Sequence, residues 1–192
     1  GLFLDQRENR LRVRELGAGA RVLNLFCYTG GFSIHAALGG ARKVTSVDQA
    51  APAMAAFERN LALNRLDVRD HELVVGDAFA FLEKAAQHRR TWDLVVCDPP
   101  SFAPSAKSKA KALVAYRRLN RLAAAVVEPG GILVSASCSS HVTETDLMDV
   151  LAHCQRQVRV VHITGAGADH PVAPGFPEGR YLKCLFAVVD PG

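Results

Sequence analysis

Short apolar runs recur along the chain with longer stretches of helical spacing between them, and this alternation narrows the fold more than any other feature. Residues 22–26, 43–47, 72–75, 94–97 and 132–135 read as strands. Several are continuously apolar, as strands buried on both faces are. Residues 32–38, 51–63, 78–87 and 113–127 read as helices; over 51–63, Met54, Phe57 and Leu61 share one face while Arg59 and Asn60 turn to water. A helix near 144–156 and strands over 158–163 and 181–189 complete the pattern. Such alternation builds right-handed crossovers and an open, mostly parallel α/β sheet with helices on both faces. Ligands of these sheets sit beyond the carboxyl ends of the strands, so functional residues are sought just after each one.

Composition supports this. A chain of 192 residues, 49% hydrophobic and 22% charged, suits one compact domain and argues against disorder. No apolar run approaches the roughly 18–20 residues that span a bilayer, so no membrane role is expected. The balance of 23 basic against 19 acidic residues gives +4, which permits an anionic partner without requiring one. Cys27, Cys97, Cys138, Cys154 and Cys184 are scattered with no Cys-x-x-Cys pair. Neither a disulfide framework nor a zinc site is signalled, and reduced thiols in a cytoplasm are expected. The histidines are dispersed, so no metal is expected. No basic-then-apolar leader is visible, which marks nothing for secretion.

After the first strand, Asn24 to Phe32 carries Gly30-Gly31, a pair that allows a tight turn but does not supply the Gly-x-Gly-x-x-Gly of dinucleotide sites. Asp48 follows the second strand, about twenty residues past that turn, where it can take both ribose hydroxyls. It could also cap a helix, but with the turn beside it ribose binding leads. Asp77 follows the third strand and could either accept an adenine amine, with Ala78 and Phe79 beside the ring, or cap the next helix. After the fourth strand comes Asp98-Pro99-Pro100-Ser101-Phe102. Two prolines fix the backbone there and make a rigid lip, with Asp98 facing in and Phe102 available for stacking. The fifth strand leads to Cys138, which is either a small buried hydrophobe or a nucleophile beside Asp98.

These residues resemble the class I S-adenosylmethionine-dependent methyltransferases, and most closely the bacterial 23S rRNA 5-methylcytosine methyltransferases that carry an N-terminal PUA domain, which is absent here. The likeness rests on Phe3-Leu4-Asp5-Gln6-Arg7, Asn24 to Phe32, Asp98 to Phe102, Ser137-Cys138-Ser139, Asp169-His170-Pro171 and Pro177 to Lys183. It implies a Rossmann-like, seven-stranded sheet whose last strand runs antiparallel at the edge, and one catalytic domain over 1–192 with residues 1–20 as a lead-in. It implies an S-adenosylmethionine site formed by Asn24, Phe26, Cys27, Tyr28, Thr29, Gly30, Asp48, Gln49, Asp77, Ala78 and Asp98. Gln6, Arg7, Pro99, Pro100 and Phe102 would meet the target nucleotide, with Arg7 equally readable as a surface residue. His170 would shape a loop or touch substrate.

The resemblance implies a cytoplasmic enzyme acting on RNA, specifically 23S rRNA. Carbon 5 of cytosine is a poor nucleophile, and a thiolate adding at carbon 6 makes it electron-rich. Cys138 is assigned that attack, and a protonated Asp98 at ring nitrogen 3 would steady the charge. Relatives of this chemistry often carry a second cysteine beside the fourth-strand prolines. Here Ser101 stands there, and Cys97 reads as core. If Cys138 is inert, an amine-directed methyltransferase is the better reading. An NAD-binding oxidoreductase and a non-catalytic RNA module are further alternatives. Lys107, Lys109, Lys111, Arg117, Arg118 and Arg121 form either an RNA contact or a solvated helix face.

Overall fold

The computed structural model describes residues 2–103 and 105–191; Gly1 and Gly192, the ends of the expected domain, lie outside the described residues, as does Pro104. One seven-stranded sheet holds β1 (Arg21–Leu25), β2 (Lys43–Asp48), β3 (His71–Val75), β4 (Trp92–Cys97), β5 (Val127–Ser137), β6 (Val158–Thr164) and β7 (Lys183–Val189). Their order across the sheet is β3-β2-β1-β4-β5-β7-β6. β1 pairs in parallel with both β2 and β4, so the strand order reverses between β1 and β4 and opens a crevice there.

Among the described residues, six α-helices cover the sheet: α1 (Arg7–Leu16), α2 (Gly31–Leu38), α3 (Ala51–Leu63), α4 (Ala78–Gln87), α5 (Lys109–Ala125) and α6 (Glu144–Ala152). Alternate residues of each central strand feed opposite faces. Leu23 and Leu25 of β1 pack with Leu82 of α4, Tyr116 and Leu119 of α5 and Leu147 of α6. Val22 of β1 packs with Val13 of α1 and with Phe32 and Ala36 of α2. Met54, Phe57 and Leu61 of α3 gather a third cluster with Ile34. Local chemistry starts the helices: Thr143 and Asp146 close a capping box at α6, and Asp77 accepts from Ala80 N at 2.9 Å at the head of α4.

Two expectations are corrected. β7 is antiparallel, but it lies between β5 and β6 rather than at the edge, and β6 forms that edge with every second residue buried less than its neighbours. Within the lead-in, residues 7–16 fold as α1. That helix buries Asn9, Arg10 and Val13, a stripe too polar to show the apolar period of a core helix. α5 also begins four residues before the expected 113, and Val127 belongs to β5, not to the helix.

Candidate active site

The turn after β1 is bent by its backbone. Phe26 and Tyr28 take φ of 58° and 49°, left-handed values that are costly for side-chain-bearing residues and cluster where a site over-determines them. Gly30 sits at φ 85°, and a Cβ there would stand 2.0 Å from the Phe57 ring, so only glycine fits. Asp48 ties this turn to β2: its Oδ2 accepts from Tyr28 N and its Oδ1 from Ala50 N, each at 2.8 Å. Its carboxylate is thus aimed by two amides and still faces the crevice.

The loop after β5 is held from three sides. Tyr116 of α5 donates its hydroxyl to Ser137 Oγ at 2.9 Å, and Ser139 Oγ donates to Ala103 O at 2.9 Å. Lys183 of β7, itself buried, donates Nζ to Ser139 O and to Tyr181 O. Both serines are buried, and the half-buried Cys138 between them projects from a fixed tripeptide.

These turns enclose a cavity of about 390 Å³ at the crevice, a size suited to one nucleoside-like ligand. Of the expected site residues, Gln6, Phe26, Cys27, Tyr28, Thr29, Asp48, Gln49, Asp98, Pro99, Pro100 and Cys138 line it. Asp98 and Cys138, from neighbouring strands, therefore share one chamber. Burial, reinforced by the Asp5 carboxylate, pushes Asp98 up to about 7, against a hydrogen bond from Gln6 and the charge of Arg10. Burial and then Asp98 also raise the Cys138 thiol, with Lys183 pulling the other way.

Other expected residues lie elsewhere. Asn24 is buried beneath the turn, donating to Ser33 Oγ at 2.8 Å, and Ser33 reaches Ser46. Gly30 shapes the turn without lining the cavity. Asp77 is exposed and caps α4, so its capping role is the one seen, and the cavity wall stops short of it and of Ala78. Phe102 packs on Tyr116 with ring centroids 4.9 Å apart and on Phe26 at 6.3 Å, behind the wall. Arg7 leaves the pocket for Glu8 and Asp169, at 2.7 and 2.8 Å, and Asp169 also meets His170 Nδ1 at 3.1 Å.

Residues not anticipated complete the wall: Leu2, Phe3, Asp5, Arg10, Gly31, Phe32 and Leu182. Asp5 and Arg10 come from the lead-in, where no apolar period marks them. Lys109, Arg117 and Arg118 pair with Asp146, Asp149 and Glu83 at 2.6–2.7 Å, which favours a solvated, ion-paired face for half of the basic cluster. Among the described residues, no group of three His, Cys, Asp or Glu is placed to hold a metal, and no helix is long and apolar enough to cross a membrane.

A profile described as S-adenosylmethionine-dependent methyltransferase matches residues 1–186. The chain is 40% identical, over 95% of its length, to ribosomal RNA large subunit methyltransferase I of Cronobacter sakazakii. It is 42% identical, over 99% of its length, to a ribosomal RNA large subunit methyltransferase of Deinococcus radiodurans. It covers 47% of each, so the chain spans about half the length of these relatives. A crystal structure described as that of a methyltransferase complexed with SAH superposes with a TM-score of 0.88 at 31% identity, over 98% of this chain and 50% of the other.

Proposed function

The chain belongs to the S-adenosylmethionine-dependent methyltransferase family, and from that premise we propose that it is the catalytic domain of a cytoplasmic enzyme methylating carbon 5 of a cytosine in large-subunit ribosomal RNA. The observation that supports this reading most is the shared chamber: Cys138, on a loop fixed from three sides, opens into the same cavity as Asp98 and the double proline.

The residues present fit the family's cofactor. Asp48 holds its carboxylate toward the cavity at the place where ribose hydroxyls need an acceptor, and Phe26 and Phe32 offer apolar wall. Asp5 Oδ1 and Arg10 Nε are buried polar atoms left without a partner. When bound, S-adenosylmethionine supplies an electrophilic methyl group.

The chain's own residues do the rest. A cytosine turned out of its stack enters between the proline lip and the β5 loop. The Cys138 thiolate adds to carbon 6, forming the S–C6 bond and making carbon 5 nucleophilic. Asp98, held near 7, is protonated in a useful fraction of molecules at neutral pH and can donate to ring nitrogen 3 as that nitrogen gains charge. Once carbon 5 has taken the methyl group, a base accepts its proton, the C5–C6 double bond re-forms and the S–C6 bond breaks to return the Cys138 thiolate.

The raised thiol of Cys138 favours a second reading, in which Asp98-Pro99-Pro100 orients an exocyclic amine and the cysteine is a spectator. RNA carrying 5-fluorocytidine separates the two, because fluorine cannot leave as a proton does and the adduct persists. Covalent protein–RNA capture that disappears in Cys138→Ala is expected; no capture with the unaltered protein, or capture retained in the variant, overturns the covalent reading.

A further inference from the structure

We propose that Lys183 is the counter-charge of the Cys138 thiolate: a positioning residue whose buried ammonium favours the ionised sulfur and, through the Ser139 carbonyl, holds it toward the cavity. The inference deepens the covalent reading and rests on it for its use, though not for its test.

Lys183 opens β7 opposite Ser137 of β5, and that register brings its side chain to the loop that follows β5. It is 7% exposed, and its Nζ donates to Ser139 O and to Tyr181 O, the second at 2.8 Å. Two carbonyls take two of the three N–H bonds of the ammonium and supply no full negative charge. A charge buried this deeply is ordinarily paired with an acid. The acid that acts on it, Asp146 of α6, is held by Lys109 at 2.7 Å, and among the described residues no carboxylate forms an ion pair with Lys183. Burial works against the ammonium, and the group that most favours it is the Cys138 sulfur, one residue from the carbonyl that Nζ grips.

The need is mutual. The half-buried sulfur is opposed in ionising by burial first, then by the negative charges of Asp98 after β4 and Asp5 in the lead-in. Tyr116 of α5 and Tyr181 before β7 also act on it, but burial pushes both phenols up to about 12, so neither carries charge near neutrality. Among the described residues, Lys183 is the cation that acts on the sulfur. One opposite charge at close range favours ionisation by roughly 1–3 pH units, enough to decide whether a thiol set among two carboxylates can attack a base. On ionisation the thiol proton passes to solvent through the cavity, and Lys183 keeps its own. The same charge serves the return step, when the S–C6 bond breaks and its electron pair goes back to sulfur beside the ammonium.

Alkylation by iodoacetamide, read by mass spectrometry at the peptide holding Cys138 and followed over pH, tests this without RNA or cofactor. In Lys183→Met the midpoint is expected to move up by about one pH unit or more, so that alkylation at neutral pH falls roughly tenfold. Lys183→Arg, which keeps the charge, should lie nearer the parent than the methionine variant does. A merely structural lysine would change the rate on the high-pH plateau and leave the midpoint in place; an unmoved midpoint overturns the proposal. The reciprocal measurement needs no change at Lys183. In an NMR titration with isotopically labelled lysine, the Lys183 ammonium of Cys138→Ala should lose its proton at lower pH than that of the parent, because linkage is symmetric. Equal midpoints there overturn the proposal as well, even if Lys183→Met fails to fold. The two readings fail separately: an unmoved Cys138 midpoint removes the part of Lys183 whatever RNA capture shows, whereas absent capture beside a moved midpoint removes the covalent reading and leaves the ion pair standing.

Discussion

At the scale of single residues, the site depends on groups held away from their ordinary state. Asp98 is the clearest. Its carboxyl titrates near 7 when folded against 3.8 ordinarily, so the protonated form is the one the fold prefers. The stabilising contribution of that proton is complete below about pH 4 and lost as pH rises through about 7. Asp98→Asn keeps the shape without the charge and should raise the Tm by several degrees at pH 8, with the gain shrinking toward pH 4; a pH-independent change would show that burial does not set the titration. Gly30→Ala meets both a left-handed φ and the Phe57 ring, and should cost about 2–4 kcal/mol in a denaturant titration. A neutral result there would mean that the turn can be rebuilt.

Residue-level legibility divides along the same line. Asp48, Asp98 and Cys138 stand directly after apolar strands, and position alone marks them. Asp5 and Arg10 carry no such flag, because they become neighbours only when α1 docks beside α2 and β7 brings Tyr181 to Asp5. Asp77 was readable only as a pair of alternatives: its Oδ1 accepts from Ala80 N at the head of α4, the capping role, and a carboxylate carries a second oxygen that a ligand can use. A short-range hydrogen bond of that kind closes only a small loop, so its entropic cost is low.

At the scale of elements, strands and helices with a clean apolar period were readable nearly to their ends, α3 and α4 among them. α1 was not, because its buried stripe includes Asn9 and Arg10 and its apolar contact with the core comes from Val13 and the partly buried Leu16. It is held instead by close backbone approach to α2. A Cβ on Gly39 would stand 1.9 Å from Arg14 O, and one on Gly17 would stand 3.0 Å from Ala36 O. Gly39→Ala should therefore push α1 off α2 and lower the affinity for S-adenosylhomocysteine along with the Tm. Unchanged affinity in a destabilised variant would show that α1 does not build the pocket. The place of β7 also escaped the sequence, since an antiparallel return can pair at an edge or slip between two strands, and its apolar run of residues suits either. Burial of Cys184 to Ala187 on both sides explains the choice seen: at the edge, one flank of that run would face water.

At the scale of the whole molecule, charge bears on the partner. A surplus of four positive charges is modest, and three cations of the α5 region are already paired with acids. Lys107, Lys111 and Arg121 remain exposed. RNA binding by this chain should then weaken with salt by a slope no steeper than about −3 in log–log form. A much steeper slope would show that the paired arginines turn to phosphate or that another face binds. Fold and cofactor follow from the strand order and the turns after the strands, whereas the identity of the methyl acceptor hangs on one thiol. The most direct measurement is nucleoside mass spectrometry of 23S rRNA from cells lacking the protein and from cells given back either the parent or Cys138→Ala. The account predicts that one 5-methylcytidine disappears, returns with the parent and stays absent with the variant. Loss of a different methylated nucleoside, or return of 5-methylcytidine with the variant, would contradict it.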